Sequence, residues 1–207
     1  MKPGAHARFR IGVGVGTAAP CVFLAIAFTM SVVRHDVIEV EGWASWPSSM
    51  AIGGWPGIPQ IFAFLLLAVS YALFAWWALL FALGRGFIAF TVIALGELFL
   101  AFPTDARGAD VSWHGVLHLT GVLVVTASTS VAAAVITHAT WRRPAWRPWR
   151  TLGTPSVVAG VATGGIAGFH SGWAKIFFVL AITLPIPLLA RLVAREGTDR
   201  ATMVPSA

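Results

Sequence analysis

The sequence predicts an all-α, polytopic membrane protein: a bundle of six transmembrane helices with both ends in the cytoplasm. Three observations carry this reading. Apolar residues make up 57% of 207 positions and charged residues only 11%, against roughly 25% charged in a soluble domain. Mean hydropathy is +0.81. The apolar residues fall in continuous runs of roughly the 20 residues a helix needs to cross a hydrocarbon core about 30 Å thick, separated by short polar breaks. They lack the period-two alternation of a β-barrel strand.

The first crossing is expected at residues 11–33. Lys2, Arg8 and Arg10 precede it, which imitates a signal peptide, but an uncleaved first helix is the preferred reading. The single cysteine, Cys21, excludes an internal disulfide and is expected to be a buried thiol. Residues 34–60 read as a loop, with Asp36, Glu39, Glu41, three Trp and several Gly and Pro, and room for a short interfacial element.

A second crossing at 61–83 turns at Gly84-Arg85-Gly86 into a third at 87–102, so the two form an antiparallel hairpin. Pro103-Thr104-Asp105 stops the third helix. Ser112 then caps a fourth crossing at 114–140. A basic, aromatic connection from Trp141 to Arg150 suits a headgroup boundary. The fifth crossing, 152–169, is rich in small residues, and the sixth, 173–193, is kinked by Pro185 and Pro187. Residues 1–195 thus form one domain, with 196–207 as a disordered cytoplasmic tail.

Eleven Lys and Arg, from Lys2 to Arg200, fall on one face of this arrangement; Arg34, Arg107 and Lys175 fall on the other. The first face is therefore cytoplasmic, in a multi-pass protein of the cell membrane. The net charge of +6 is explained by that topology, and no basic recognition face or motif points to nucleic acid.

Glu97 is the one acid inside a predicted crossing, roughly 8 Å below the outer interface at 1.5 Å per residue. An intramembrane acid is costly unless it is paired, protonated or set against a polar cavity. His118 lies at a matching depth on the fourth helix, with His114 one turn above on the same face. That face continues through Gly121, Val125 and Ser128 and should point into the bundle. Glu97, Asp105, His114 and His118 are the candidate catalytic groups; Ser112, Asp110, His170 and Trp113 are candidate substrate-binding residues around them. Each also has a plainer use: helix-to-helix hydrogen bonding for Glu97, backbone capping for Asp105, and snorkelling to the interface for His114 and His170.

The spacing His114-x-x-x-His118 is a weak metal signal, because the helical zinc motif carries a Glu between its histidines and here Gly115, Val116 and Leu117 intervene. Asp105, Glu97 or His170 would have to supply a third ligand. No metal and no cofactor is assigned. Gly12-x-Gly14-x-Gly16 and the series Gly160, Gly164, Gly168 read as close helix packing, which also permits self-association. Trp76-Trp77 and the many Phe residues suit core or lipid contact, and an aromatic cavity would favour a lipid, an isoprenoid or a cation.

Leu98-Phe99-Leu100-Ala101-Phe102-Pro103-Thr104-Asp105-Ala106-Arg107-Gly108, followed by Ser112-Trp113-His114-Gly115-Val116-Leu117-His118, resembles the bacterial membrane-protein family grouped as domain of unknown function 998. The resemblance is specific over about twenty residues and extends loosely over the six-helix pattern. It implies a compact six-helix protein of the bacterial plasma membrane, recognisable by Phe102, Pro103, Thr104, Asp105, Gly108, Ser112, Gly115 and His118. It implies no activity. Ala106 stands where the pattern commonly has Pro, which loosens the turn and keeps the acid.

Three functions follow as expectations. The first is a membrane-embedded enzyme acting on a lipidic or isoprenoid-like substrate by hydrolysis or acid-initiated cyclisation, with Asp105, Glu97 and His118 as acid and base. The second is a non-catalytic lipid-binding or accessory subunit. The third is a small proton-coupled transporter using Glu97 and His118, disfavoured by the absence of an inverted repeat of broken helices.

Overall fold

The computed structural model describes residues 3–84, 86–106, 108–167 and 172–202. Among them there is no strand; the helices are α1 (Pro3–Val33), α2 (His35–Glu41), α3 (Ile58–Phe74), α4 (Leu80–Leu83), α5 (Gly86–Leu100), α6 (Trp113–Thr140), α7 (Thr154–Ala167), α8 (Gly172–Thr183) and α9 (Pro185–Thr202). A π turn at Ala75–Leu79 joins α3 to α4, and another at Trp149–Gly153 leads into α7.

Four helical stretches among the described residues are long and apolar enough to cross a membrane: Gly4–Val33, Trp55–Leu83, Trp113–Thr140 and Gly172–Thr198. Gly86–Leu100 is apolar but shorter. The hairpin between the second and third predicted crossings forms as expected, with Gly84 at φ +64° ending α4, a left-handed backbone that glycine adopts without a Cβ clash.

These elements close into a ring in chain order. α1 packs on α3, α3 on α5, α5 on α6, α6 on α7, α7 on α8, and α9 returns to α1. The tightest approach is between α5 and α6, where a side chain at Gly121 would meet the Gly96 carbonyl at 2.8 Å and one at Gly96 would meet Val125 at 2.7 Å. Gly12 and Gly16 let α1 lie against Ala78 and Phe74, and Gly160 and Gly164 admit Ala181 and Phe178. These glycines bring backbones close enough for dense van der Waals packing, but Gly14, expected to pack along with Gly12 and Gly16, has nothing within 4 Å of where its Cβ would be. Gly168 lies outside the described residues.

The two ends of the ring differ. At the basic end, Arg143 pairs with Glu196 at 2.7 Å, the Trp146 indole donates to the same carboxylate at 3.2 Å, and Trp149 donates to Thr137 at 3.2 Å. Trp146 and Trp149 are accordingly buried, whereas Trp141 at the start of the connection is exposed, so the headgroup reading fails for those two indoles, whose N–H groups have partners inside the protein. The helix α9 continues through Thr202, so residues 196–202 are not a disordered tail; Glu196 ties that turn to the Arg143 connection.

At the acidic end, the expected 34–60 loop is a folded plug. After α2, short 3₁₀ turns at Trp43–Ser45, Ser48–Ala51 and Trp55–Gly57 carry it back to α3. Trp46, Ser49 and Met50 are fully buried. Trp46 donates to Ser31 Oγ at 2.8 Å, while Arg34 binds the carbonyls of Met50 and Ile52. Arg34 thus satisfies loop carbonyls that would otherwise be buried without donors.

Two further expectations fail on helix rotation. Cys21 is exposed, because Gly12, Gly16 and Phe23 set the inward face of α1 and place Cys21 on the other side. The inward stripe of α6 runs His118, Gly121, Val125, Thr129 and Ala132; Ser128 instead lines an exterior groove with Ala127 and Val131.

Candidate functional site

The turn after α5 is held by its own polar groups. Ser112 is the N-cap of α6 and its hydroxyl accepts from the Gly115 N–H at 3.1 Å. The same hydroxyl donates to Asp105 Oδ1 at 2.5 Å, and the Ser112 N–H donates to Oδ2 at 3.0 Å. His114 Nδ1 lies 3.0 Å from the Pro103 carbonyl, 2.8 Å from Ser112 Oγ and 3.6 Å from Asp105 Oδ1. A carbonyl only accepts, so Nδ1 carries the proton. Ser112, Asp105 and His114 superficially assemble the members of a hydrolytic triad. The serine proton, however, goes to the carboxylate and its oxygen accepts from the Gly115 N–H, while His114 Nδ1, whose single hydrogen lies between the Pro103 carbonyl and Ser112 Oγ, cannot take the serine's proton.

Those two hydrogen bonds from Ser112, the hydroxyl's first and the backbone's second, hold the Asp105 carboxyl below its ordinary range, with His114 and His118 adding a smaller attraction. Asp105 is therefore ionised at neutral pH. Gly115 is required beneath it: a Cβ there would run into the carboxylate. Gly108, at φ +81°, lets the chain reverse between Asp105 and Ser112.

Asp105 also forms part of the wall of a cleft of about 1000 Å³ at the acidic end. The other lining residues include Glu41 and Trp43 from the plug, Phe28 from α1, and Trp173 and Ile176 from α8. Its two charged lining residues among those described are both carboxylates. Gly172 lets α8 approach, because the Trp43 side chain lies where its Cβ would be.

One layer deeper, a cavity of about 50 Å³ sits on the axis of the ring. Phe23 of α1, Phe64 and Leu67 of α3, Glu97 and Leu100 of α5, Val122 and Val125 of α6, and Lys175 and Phe178 of α8 are among its walls. Glu97 is 6% exposed and His118 4%. His118 Nδ1 donates to the Phe102 carbonyl at 2.7 Å, which leaves Nε2 as a lone pair. Phe64 meets the imidazole edge-on at 6.2 Å. Among the described residues, five buried side-chain polar atoms have no hydrogen-bond partner: Glu97 Oε2, His118 Nε2, Ser49 Oγ and both amide atoms of Gln60. The ammonium of Lys175 lies 5.6 Å over the Phe178 ring.

The structure thus sorts the candidates into groups. Asp105, Ser112 and His114 form one network at the turn; Glu97 and His118 are buried one layer below. Trp113 is exposed, stacked edge-on against Phe102 and His114, and Asp110 is exposed on the turn, so neither lines the cleft. His170 lies outside the described residues. No three His, Cys, Asp or Glu side chains among the described residues converge as a metal site. Sequence reasoning missed Lys175, Glu41, Trp43 and Trp173. A Lys two residues after a Trp at the start of an apolar helix was a usable signal for the first. No family model, curated protein or solved structure matches this chain.

Proposed function

We propose that this chain is a six-crossing protein of the bacterial plasma membrane, with both ends cytoplasmic, that binds the cationic head of an amphiphile in the cleft at its outer end. The cleft carries the reading. Its volume of about 1000 Å³ is at the upper end of the range for small-molecule sites, it is walled by Phe28, Trp43 and Trp173, and Glu41 and Asp105 supply negative charge. Aromatic faces attract cations through their quadrupoles, most strongly where water is excluded. Asp105 stays ionised through its Ser112 bonds, so the charge is present at neutral pH.

The excess of Lys and Arg at the opposite end supports a cytoplasmic assignment for that end. The ring closure through α5 and α7 supports six crossings, since each fills a gap between longer apolar helices. The resemblance to domain of unknown function 998 supports the bacterial plasma membrane. An apolar tail would lie along the exterior of the bundle, in the bilayer, while the head occupies the cleft.

Binding fits the turn better than hydrolysis does, because the Ser112 hydroxyl donates to Asp105 and caps Gly115, and the His114 nitrogen beside it carries a proton and cannot take the serine's. The test is native mass spectrometry of protein in a neutral maltoside detergent titrated with dodecyltrimethylammonium. One retained copy is expected, weakened at least about tenfold in Trp173→Ala and in Glu41→Gln. Retention undiminished in both variants, or no retention by the wild type, refutes the reading.

A further inference from the structure

We propose that Glu97 and Lys175 form a hydrated proton-exchange site inside the helix ring, with His118 against its Phe64 wall, reached from the acidic end and closed towards the basic end. The site is separate from the cleft and does not rest on the cation-binding reading, although protons reach it through the cleft.

Four observations lead to it. The cavity of about 50 Å³ exceeds the roughly 10–15 Å³ that a single water requires, and it holds a carboxyl and an amine among mostly apolar walls that also include Ser48, Thr126 and Thr183. Glu97 Oε2 and His118 Nε2 are both buried and without a protein partner, and such groups are commonly satisfied by water. The imidazole is fixed in orientation by the Phe102 carbonyl, so the nitrogen left over is the one able to accept a proton. Lys175 stands where access would run: Trp173 and Ile176 line the outer cleft, while Lys175 and Phe178, on the same turns of α8, line the inner cavity.

Direction follows from packing. Below Glu97 a void of about 10 Å³ is bordered by Tyr71, Thr129 and Thr183. Beyond it Phe74, Leu79, Ile136 and Leu189 fill the ring at 0–1% exposure. A proton entering from the acidic end therefore meets polar side chains as far as Thr129 and then a packed apolar plug.

The step itself is simple. A hydronium ion from the cleft approaches Glu97; one of its O–H bonds breaks, a new O–H bond forms on the carboxylate, and a neutral water remains in the cavity. Ionised Glu97 and ammonium Lys175 sum to zero, and the loaded site carries one positive charge. The titratable groups that share a void with Glu97 are Lys175 from α8 and Tyr71 from α3; α1 presents Phe23, and His118 of α6 lies behind Phe64.

Infrared difference spectroscopy of the full chain in lipid nanodiscs, titrated between about pH 4 and 10 in H₂O and D₂O, reads this directly. A protonated-carboxyl C=O band is expected that titrates, moves to lower frequency in D₂O within minutes, and is missing in Glu97→Gln. In Lys175→Met its midpoint is expected to rise, because an ammonium lining the same cavity is removed. The absence of such a band, or a band that fails to exchange, overturns the proposal. Should Glu97→Gln not fold, the wild-type band together with Lys175→Met decides, and an unmoved midpoint overturns it.

Discussion

Two polar clusters lie a layer apart in this molecule, and they are built on opposite rules. At the turn, Asp105, Ser112 and His114 satisfy one another: the Ser112 hydroxyl, the His114 Nδ1 and both carboxylate oxygens are each hydrogen-bonded within 3.1 Å. Inside the ring, Glu97 and His118 each leave an atom unpaired although both are more deeply buried. A satisfied network fixes a conformation, whereas a buried unsatisfied group costs free energy that the fold must recover elsewhere. The contrast assigns stability to the turn and exchange with water or protons to the interior.

Disrupting the turn should therefore have the largest effect. Gly115→Val drives methyl groups into the Asp105 carboxylate, and overpacking of that kind costs about 3 kcal/mol at the upper end of the usual range. Chemical unfolding in detergent should show that loss, whereas Gly14→Val, at a position where a Cβ meets nothing within 4 Å, should leave the midpoint in place. Equal losses in the two variants would mean that Gly115 is needed only as a glycine within a helix.

Ser112→Ala removes the α6 cap and the hydroxyl that Asp105 accepts from, at a cost of about 1–2 kcal/mol. The change should be local: the Gly115 amide, which loses its acceptor, should exchange with solvent faster, and the α9 amides near Glu196 should not. Uniform acceleration along the chain would show that the turn and the ring are not separate units.

The turn was legible in the sequence because its contacts are short-range. Ser112 lies seven residues from Asp105, the Pro-Thr-Asp stop and the cap flank it, and Gly115 sits where the acid must pass. The interior site was only half legible. Glu97 and His118 stood out as polar residues in apolar runs, but Lys175 reaches them from α8, and nothing local in the sequence relates it to α5 or α6. Its place among the outer-face charges at the start of the sixth crossing says nothing of the cavity it lines. Arg34 likewise binds beyond local reach, its partners being carbonyls sixteen and eighteen residues away. Cys21 went wrong for a different reason: an all-apolar helix in a membrane carries little information about which face turns inward, and only the glycines Gly12 and Gly16 mark it.

Acid should separate the two clusters next. The folded-state carboxyl of Asp105 lies below its ordinary value, so its contribution is complete above about pH 3.9, the unfolded value, and is lost as pH falls through the lower folded value. Melting temperatures measured from about pH 6 downward should fall on this limb in the wild type. The limb should flatten in Asp105→Asn, which accepts through one oxygen at any pH. An unchanged limb would place the acid sensitivity in another carboxylate.

The smallest effect on stability belongs to Glu97→Leu, and it is the sharpest test of the comparison. Leucine nearly matches the volume of glutamate, fills the same space between Leu100, Val125 and Phe178, and needs no partner for an oxygen that has none. Replacing a buried polar group with an apolar one of the same shape is often neutral or stabilising, so the unfolding midpoint should stay or rise while the titrating carboxyl band disappears. A loss above about 2 kcal/mol would mean that the carboxyl holds the ring together, and the interior cluster would then obey the same rule as the turn. No loss would leave the fold without any need for an acid at this depth, and proton exchange as the remaining physical reason for carrying one.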